Sequence, residues 1–243
     1  MKRLGVIGGT ALEAISEQHS TSKEDIILET PYGEVPVSCL EFEGDKKIIF
    51  LQRHHGKVMR PPHEINHKAN IFALYEAGVE AILSICSVGA IAKDFQPGQI
   101  DFANQYIDFS GLAMSFHNDE AIFTSMTSPF DSNMNQIIKA NIVSSVGRTY
   151  WLAQGPQYET PAEINSIEFL GGEAVGMTMP REVKLAAELH IPYSALLISS
   201  NWAAGRDPGD PRAKLVHEEV SSQANLQHEQ IYACINAIMQ NNH

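Results

Sequence analysis

The stretch from Thr149 to Ser199, TYWLAQGPQYETPAEINSIEFLGGEAVGMTMPREVKLAAELHIPYSALLIS, decides the fold class. Short apolar runs alternate along it with segments whose apolar residues recur at helical spacing. The pattern predicts strands and helices in turn: strand Thr149–Ala153, helix Pro161–Leu170, strand Ala174–Met177, helix Glu182–Leu189 and strand Tyr193–Ser199. Strands that alternate with helices indicate an α/β protein with a largely parallel sheet.

The sequence before this stretch adds further strands. The apolar run Leu4–Ile7 leads into Gly8-Gly9-Thr10, which is typical of a buried strand followed by a glycine turn. Val35–Cys39 and Lys47–Gln52 predict a β-hairpin, and Pro36 predicts that the first of these strands lies at an edge of the sheet.

Helical spacing returns after Pro61-Pro62, with Gly78 as the expected C-cap, and a buried strand is predicted at Val79–Ile85. The last segment, Lys214–Ile238, predicts a long amphipathic helix. Because no linker or repeat interrupts the pattern, we expect one domain over residues 1–243. The predicted architecture is a single-domain, three-layer α/β fold with a mixed, largely parallel central sheet.

Composition excludes several classes of partner. The formal charge of 17 − 29 = −12 opposes binding to nucleic acid. There is no apolar run of about 18 residues, as a membrane span requires. The apolar stretch within the N-terminal MKRLGVIGGT is too short and too glycine-rich for the hydrophobic region of a secretory signal, so none is expected. The sparse cysteines Cys39, Cys86 and Cys234 predict no disulfide framework, so a cytoplasmic location is expected.

Polar residues follow the predicted strands where a ligand site of an α/β sheet is expected. These places are Gly8-Gly9-Thr10, Arg53-His54-His55, Ser87-Val88-Gly89, Met177-Thr178 and Ser200-Asn201. Glycine amides with a hydroxyl suit an oxyanion, and an arginine offers a fork for phosphate or carboxylate. A tight turn and a surface salt bridge account for the first two places equally well.

Residues 63–67 match H-E-x-x-H, in which two histidines of a zinc hydrolase ligate the metal and the glutamate activates water. The zinc alternative rests on His63, Glu64 and His67 at the start of a helix. Against it, no third ligand stands downstream at a known spacing. No metal site is expected.

The segment Gly155–Glu163 leads from a strand into a helix. Thr160 as N-cap, Pro161 at N1 and Glu163 at N3 form a capping box, which accounts for those three residues. It leaves Tyr158 and Glu159 unexplained, and a carboxylate beside an aromatic ring suits recognition of a flat heterocycle.

Taken in order, these segments resemble the trimeric purine nucleoside phosphorylase and methylthioadenosine phosphorylase family over essentially the whole chain. The resemblance rests on motifs at family spacing: Gly8-Gly9-Thr10, Arg53-His54, Asn66–Leu74, Gln96-Pro97-Gly98, Gln105–Asp108, Gly155–Thr160, Gly176-Met177-Thr178 and Asn201. It implies a pentosyltransferase of purine salvage and a homotrimer. Inorganic phosphate is then a co-substrate that attacks C1′ of a purine nucleoside, with no other cofactor and no metal.

The resemblance also implies residue roles. Phosphate ligands by position are Thr10, Arg53, His54 and Thr178, with the backbone of Ser87. The nucleoside is then bound by Tyr158, Glu159, Met177, Asn201, Trp202 and Ala203, with Met177 under the sugar and Tyr158 between sugar and base. Asn201 faces the purine N7 and O6 edge and Glu159 faces N1–H. The implied catalytic residues are Asn201, Arg53 and His54.

Three departures from the family pattern, and one ambiguity, bear on the site. Ala11 replaces a usual glycine, Cys86 stands where Thr or Asn is common, and Met179-Pro180-Arg181-Glu182 alters the turn after Met177-Thr178. Arg53-His54-His55 leaves open which histidine meets phosphate. A catalytically inactive binding module of the same fold is therefore a further alternative.

Base choice follows from hydrogen bonding. Asn201 and Ala203 stand where the adenine-specific branch has aspartates, and Glu159 accepts from the N1–H that only a 6-oxopurine carries. The chain is most similar to the bacterial branch acting on S-methyl-5′-thioinosine, and a general inosine and guanosine phosphorylase is the alternative. At the 5′ end of the sugar, apolar Val58 favours a methylthio group, whereas His217 suits a 5′-hydroxyl.

Overall fold

The computed structural model describes residues 1–8, 19–55, 60–215 and 227–241. Five residues discussed above, Gly9, Thr10, Ala11, Val58 and His217, lie outside these ranges. None of the helices in the described part of the chain is long and apolar enough to cross a membrane.

Nine strands form the central sheet: β1 Arg3–Gly8, β2 Ser22–Thr30, β3 Gly33–Phe42, β4 Lys46–Gln52, β5 Ala81–Ala90, β6 Ile100–Ile107, β7 Arg148–Leu152, β8 Ala174–Gly176 and β9 Tyr193–Trp202. Their order is β2-β3-β4-β1-β5-β8-β7-β6-β9, and β5 also pairs with β9. The last five strands therefore close into a ring. Both parallel pairs (β1–β4, β1–β5, β5–β9) and antiparallel pairs (β5–β8, β6–β9) occur, which confirms a mixed sheet.

Five α-helices are described: α1 His67–Glu76, α2 Ser132–Asn141, α3 Pro161–Phe169, α4 Met179–Glu188 and α5 His228–Gln240. Buried side chains of α1 and α4, such as Leu74 and Val183, belong to one core cluster. Those of α2 and α5, such as Ile138 and Ile235, belong to another, which includes Leu4 of β1. The sheet thus separates two helical layers, as the three-layer prediction expected.

The edge of the sheet differs from the prediction. The hairpin of β3 and β4 is present, but β3 also pairs along its length with β2, and Pro36 lies opposite Ile27. The prediction that Pro36 marks an edge strand is therefore wrong, because β2 covers that side. Strand β2 escaped detection since most of its residues are exposed, so it lacks a buried apolar run.

Helix boundaries follow local capping. Thr160 caps α3 through a reciprocal bond with Glu163, as predicted. Helix α4 begins three residues before Glu182, with Thr178 as N-cap and Pro180 in its first turn. The C-terminal helix is described only from His228, so the earlier half of the predicted long helix lies outside the described residues.

Strand ends gather at one edge of the sheet. Gly8 of β1 is paired with Gln52 of β4, and the amide of Arg53 donates to the Gly8 carbonyl at 3.2 Å. On the other side of β1, the end of β5 runs beside the end of β9, with Gly89 opposite Asn201. This edge of the sheet therefore carries residues from four of the five places predicted for a ligand site: Gly8, Arg53, Gly89 and Asn201.

Candidate active site at the strand ends

Arg53 is buried at the end of β4, with 6% of its surface exposed. Its Nε and Nη2 donate to the Glu182 carboxylate, Nη2 also donates to Ser84 Oγ at 2.5 Å, and Nη1 donates to the Ile85 carbonyl at 3.2 Å. The fork predicted for phosphate is therefore occupied on one edge by a carboxylate. One N–H, on Nη1, remains for a ligand.

Glu182 holds this arginine from the first turns of α4. Its Oε2 accepts from Tyr193 Oη at 2.8 Å and from Ser84 Oγ at 2.9 Å, besides Arg53. Burial alone would raise the pKa of the Glu182 carboxyl, but the charge and hydrogen bonds of Arg53 outweigh it and keep that pKa below its ordinary value. The pair is thus ionised and close to neutral as a unit.

Cys86 borders the same cluster from β5. Its sulfur lies 3.5 Å from both Arg53 Nη2 and Ser84 Oγ. Burial raises the pKa of the Cys86 thiol, against the opposing effects of Arg53 and of hydrogen bonds with Ser84 and Thr178. A neutral thiol therefore stands beside Thr178, where many family members have a hydroxyl or an amide.

The two histidines after Arg53 have different partners. His55 Nε2 lies 2.6 Å from Asn70 Oδ1, and Asn70 Nδ2 in turn donates to the Arg53 carbonyl at 3.3 Å. His55 therefore ties the turn to α1. His54 Nδ1 lies 2.6 Å from the Arg60 carbonyl, and because a carbonyl only accepts, this nitrogen carries the hydrogen.

The H-E-x-x-H segment does not form one helical face. His63 and Glu64 lie in the 3₁₀ turn Pro62–Glu64, and Ile65 is extended before α1 begins at His67. No group of three potential ligands suited to a metal occurs within residues 1–8, 19–55, 60–215 and 227–241. The helical geometry on which the zinc alternative depended is therefore wrong.

His67 is instead a buried residue beside Glu182, whose Oε1 lies 3.9 Å from His67 Nδ1. Neither ring nitrogen has a hydrogen-bond partner. Burial lowers the pKa of His67 to about 4, although the charge of Glu182 opposes this shift. The imidazole is accordingly neutral at pH 7.

The residues that follow β8 are held by close packing. A Cβ on Gly176 would lie 2.2 Å from Tyr150 Oη, and that hydroxyl accepts from the Thr178 amide at 3.3 Å. Gly155 has φ of +67°, and a Cβ there would lie 2.6 Å from Met177 Sδ. Both glycines are required, because they let Met177 and Thr178 approach the strand ends.

Asn201 is fixed by its own backbone surroundings at the end of β9. Its Nδ2 donates to the Trp202 carbonyl at 2.7 Å, and its Oδ1 accepts from Ser200 Oγ at 3.0 Å. A register shift opposite Val88 and Gly89 brings Asn201 beside β5. Ala203 continues the pairing by donating its amide to the Ala90 carbonyl at 2.8 Å.

Tyr158 and Glu159 lie between β7 and α3. Tyr158 is 38% exposed, and burial raises the pKa of the partly buried Glu159 carboxyl. In the described part of the chain, no hydrogen bond links either side chain to Arg53 or to Asn201. The structure thus groups Arg53, Thr178 and Cys86 directly and places Ser87 and Asn201 on the adjacent strand ends, whereas no hydrogen bond among the described residues joins Tyr158 or Glu159 to that group.

A family model described as the phosphorylase superfamily matches residues 3–240. The chain belongs to the phosphorylase superfamily. A solved member with the same fold is a methylthioadenosine phosphorylase sourced from an antarctic soil metagenomic library. It has a TM-score of 0.85 and 26% identity, and the match covers 98% of this chain and 86% of that one.

Two superfamily relatives are similar in sequence. A probable S-methyl-5′-thioinosine phosphorylase of Methanothermobacter thermautotrophicus is 33% identical over 219 residues, or 89% of this chain and 76% of the relative. A 6-oxopurine nucleoside phosphorylase of Pyrococcus furiosus is 34% identical over 237 residues, or 90% of this chain and 85% of the relative.

Sequence reasoning missed the residues that support Arg53 in this superfamily member. Glu182, Ser84 and Tyr193 come from three separate elements, and only the fold brings them together. One signal was present: Glu182 shares the inward face of α4 with Leu185 and Ala186, so the helical period already placed a carboxylate on a buried face.

Proposed function

We propose that this protein catalyses the phosphorolysis of a 6-oxopurine nucleoside, with S-methyl-5′-thioinosine as the favoured substrate. The products are hypoxanthine and a pentose 1-phosphate. The observation that carries the proposal is Asn201, an amide, at the end of β9 beside Gly89, with apolar Ala203 two residues on, in a chain of the phosphorylase superfamily. The names of the relatives support the same class of substrate.

Phosphate attacks C1′ from one face of the sugar while the base departs from the other, through a transition state with oxocarbenium character. The remaining Nη1–H of Arg53, the Thr178 hydroxyl and the Ser87 amide are the proposed donors to phosphate, together with Thr10. His54 is the proposed histidine by its place directly after Arg53; His54 and His55 each already engage one protein oxygen through a ring nitrogen. Donors fixed before the substrate binds lower the barrier by orientation and electrostatics.

Recognition of the base rests on Asn201 and Glu159. The Asn201 amide donates to N7 or O6, where negative charge grows as the purine leaves. Glu159 accepts the N1–H of a 6-oxopurine, and adenine carries no hydrogen on N1. Burial raises the pKa of the Glu159 carboxyl. A hydrogen bond donated by N1–H opposes that rise, because it favours the ionised carboxylate.

The experiment is a substrate panel of inosine, guanosine, adenosine, methylthioinosine and methylthioadenosine, each with and without phosphate, with the released base quantified by chromatography. We expect phosphate-dependent release of hypoxanthine, most efficiently from methylthioinosine. A preference for either adenine nucleoside would overturn the base assignment, and release without phosphate would indicate a hydrolase. No release from any nucleoside would favour the inactive binding module.

The 5′ end separates the two 6-oxopurine alternatives. If inosine is preferred and His217→Ala abolishes that preference, His217 binds the 5′-hydroxyl and the enzyme is a general inosine and guanosine phosphorylase. We also propose a homotrimer in the cytoplasm that needs neither metal nor cofactor. Light scattering tests the trimer, and a rate unchanged after dialysis against EDTA tests the independence from metals.

A further inference from the structure

The charge of Arg53 is already compensated inside the protein. The Glu182 carboxylate accepts hydrogen bonds from Nε and Nη2 of the Arg53 guanidinium, and both side chains are almost fully buried. Phosphate binds as an anion, so the one N–H that Arg53 retains brings geometry but little net charge. A second cation near phosphate would supply the charge that Arg53 no longer offers.

Arg181 is a buried arginine without such compensation. It occupies the third position of α4, with 4% of its surface exposed. Its Nη1 donates to the Met177 carbonyl at 3.0 Å, whereas its Nη2 is buried and has no hydrogen-bond partner. No ion pair joins Arg181 to a carboxylate in the described residues. The neighbouring carboxylate, Glu182, forms its ion pair with Arg53 instead.

The same turn offers further donors to an anion. Thr178 is the N-cap of α4, but its side chain makes no capping bond and instead hydrogen-bonds with Cys86, so its hydroxyl stays on the side of the candidate site. The N-terminus of a helix carries partial positive charge and attracts anions. The bond from Arg181 to the Met177 carbonyl keeps the guanidinium beside this N-terminus.

A buried guanidinium with an unused nitrogen is costly unless an anion joins it. We propose that Arg181 is a phosphate-binding residue. It supplies positive charge beside Thr178, whereas the charge of Arg53 is compensated by Glu182. This inference rests on the proposed function and deepens it. Arg181 lies within the turn Met179-Pro180-Arg181-Glu182, which departs from the family pattern. Arg53 then orients phosphate and Arg181 neutralises it.

The test uses Arg181→Gln, which removes the charge but retains a donor for the Met177 carbonyl, and Arg181→Lys, which retains the charge. Binding of inorganic phosphate is measured by titration calorimetry. We expect the Kd for phosphate to rise by about 10- to 100-fold in Arg181→Gln and by much less in Arg181→Lys. The KM for the nucleoside should stay within about twofold of wild type, because the proposal places Arg181 at phosphate and not at the base.

Thermal melting supplies a readout that a structural role would not produce. Without phosphate, Arg181→Gln should melt at or above the wild-type temperature, because it relieves an uncompensated buried charge. With saturating phosphate the order should reverse, because wild type gains more from the ligand. The control is Arg148→Gln, since Arg148 is buried but paired with Asp94 and Asp101, and it should lower melting equally in both conditions.

An unchanged phosphate Kd in Arg181→Gln overturns the inference. So does a variant that melts lower or fails to fold without phosphate, because that result assigns Arg181 a structural role. Failure of the proposed function is distinguishable, since wild type would then neither bind phosphate nor release base in its presence.

Discussion

Replacing Glu182 by glutamine tests the central feature of the site, the buried carboxylate that holds Arg53. The substitution keeps the size of the side chain and a group that accepts from Tyr193 and Ser84. It removes the negative charge that faces Arg53 Nε and Nη2. Arg53 is then left buried with an uncompensated charge.

The expected loss is large because both partners are excluded from water. Glu182 is 1% exposed, and removing one partner of a buried ion pair costs about 3–5 kcal/mol. For a chain of this length that corresponds to a fall in Tm of about 6–20 °C. Glu168→Gln is the matched control, because Glu168 pairs with Arg206 while its side chain is 50% exposed. Exposed pairs contribute only about 0–1 kcal/mol.

The assay is urea denaturation of wild type and both variants, followed by tryptophan fluorescence at several pH values. The pKa of Glu182 is lowered on folding from its unfolded value of 4.5, so its contribution is complete above that pH. It is lost as the pH falls through the folded pKa. The difference between wild type and Glu182→Gln should therefore persist at neutral pH and narrow only in acid. A difference below about 1 kcal/mol at pH 7 would refute the reasoning.

Three further predictions concern single positions. Because the pKa of His67 falls from 6.5 to about 4 on folding, wild type should lose about 3 kcal/mol of unfolding free energy between those pH values, and His67→Phe should remove this slope in denaturant titrations. Asn201→Asp should cut kcat/KM for inosine-type nucleosides by an amount equivalent to about 1–3 kcal/mol and favour adenine nucleosides, which the substrate panel measures. Gly155→Ala should destabilise the fold by about 1–2 kcal/mol, because φ at this position is +67°. It should also raise the nucleoside KM, because the new Cβ would displace Met177. Unaltered stability in denaturant titrations and an unaltered KM would contradict this prediction.

Prediction of the fold succeeded where burial leaves a periodic signal. Strand β9 is buried over its first eight residues, so its apolar run was visible, and the capping box at Thr160 fixed the start of α3. Strand β2 shows no such run because it lies at the edge with mainly exposed residues. An edge strand is specified by its partner, β3, and a single sequence does not reveal that pairing.

The sequence singled out candidate site residues that end strands, whose roles stay predictions, and it missed the residues that support them. Arg53, Thr178 and Asn201 were found because parallel strand ends converge at one edge of a sheet. Glu182 was noticed only as an altered turn, since the charge state of Arg53 depends on which carboxylate the fold brings to it. That choice arises from the packing of α4 against β5 and β9, which spacing along the chain does not encode.

The cost of burying Glu182 has a functional explanation. A mobile arginine would lose side-chain freedom each time phosphate bound, and that loss weakens binding. Four of the five N–H groups of Arg53 are already engaged, so its remaining N–H points in a fixed direction before the ligand arrives. The Glu182 carboxylate that helps to fix the guanidinium also compensates the charge that would otherwise attract phosphate. In a site built this way Arg53 supplies orientation, and the second cation that we propose, Arg181, supplies the charge.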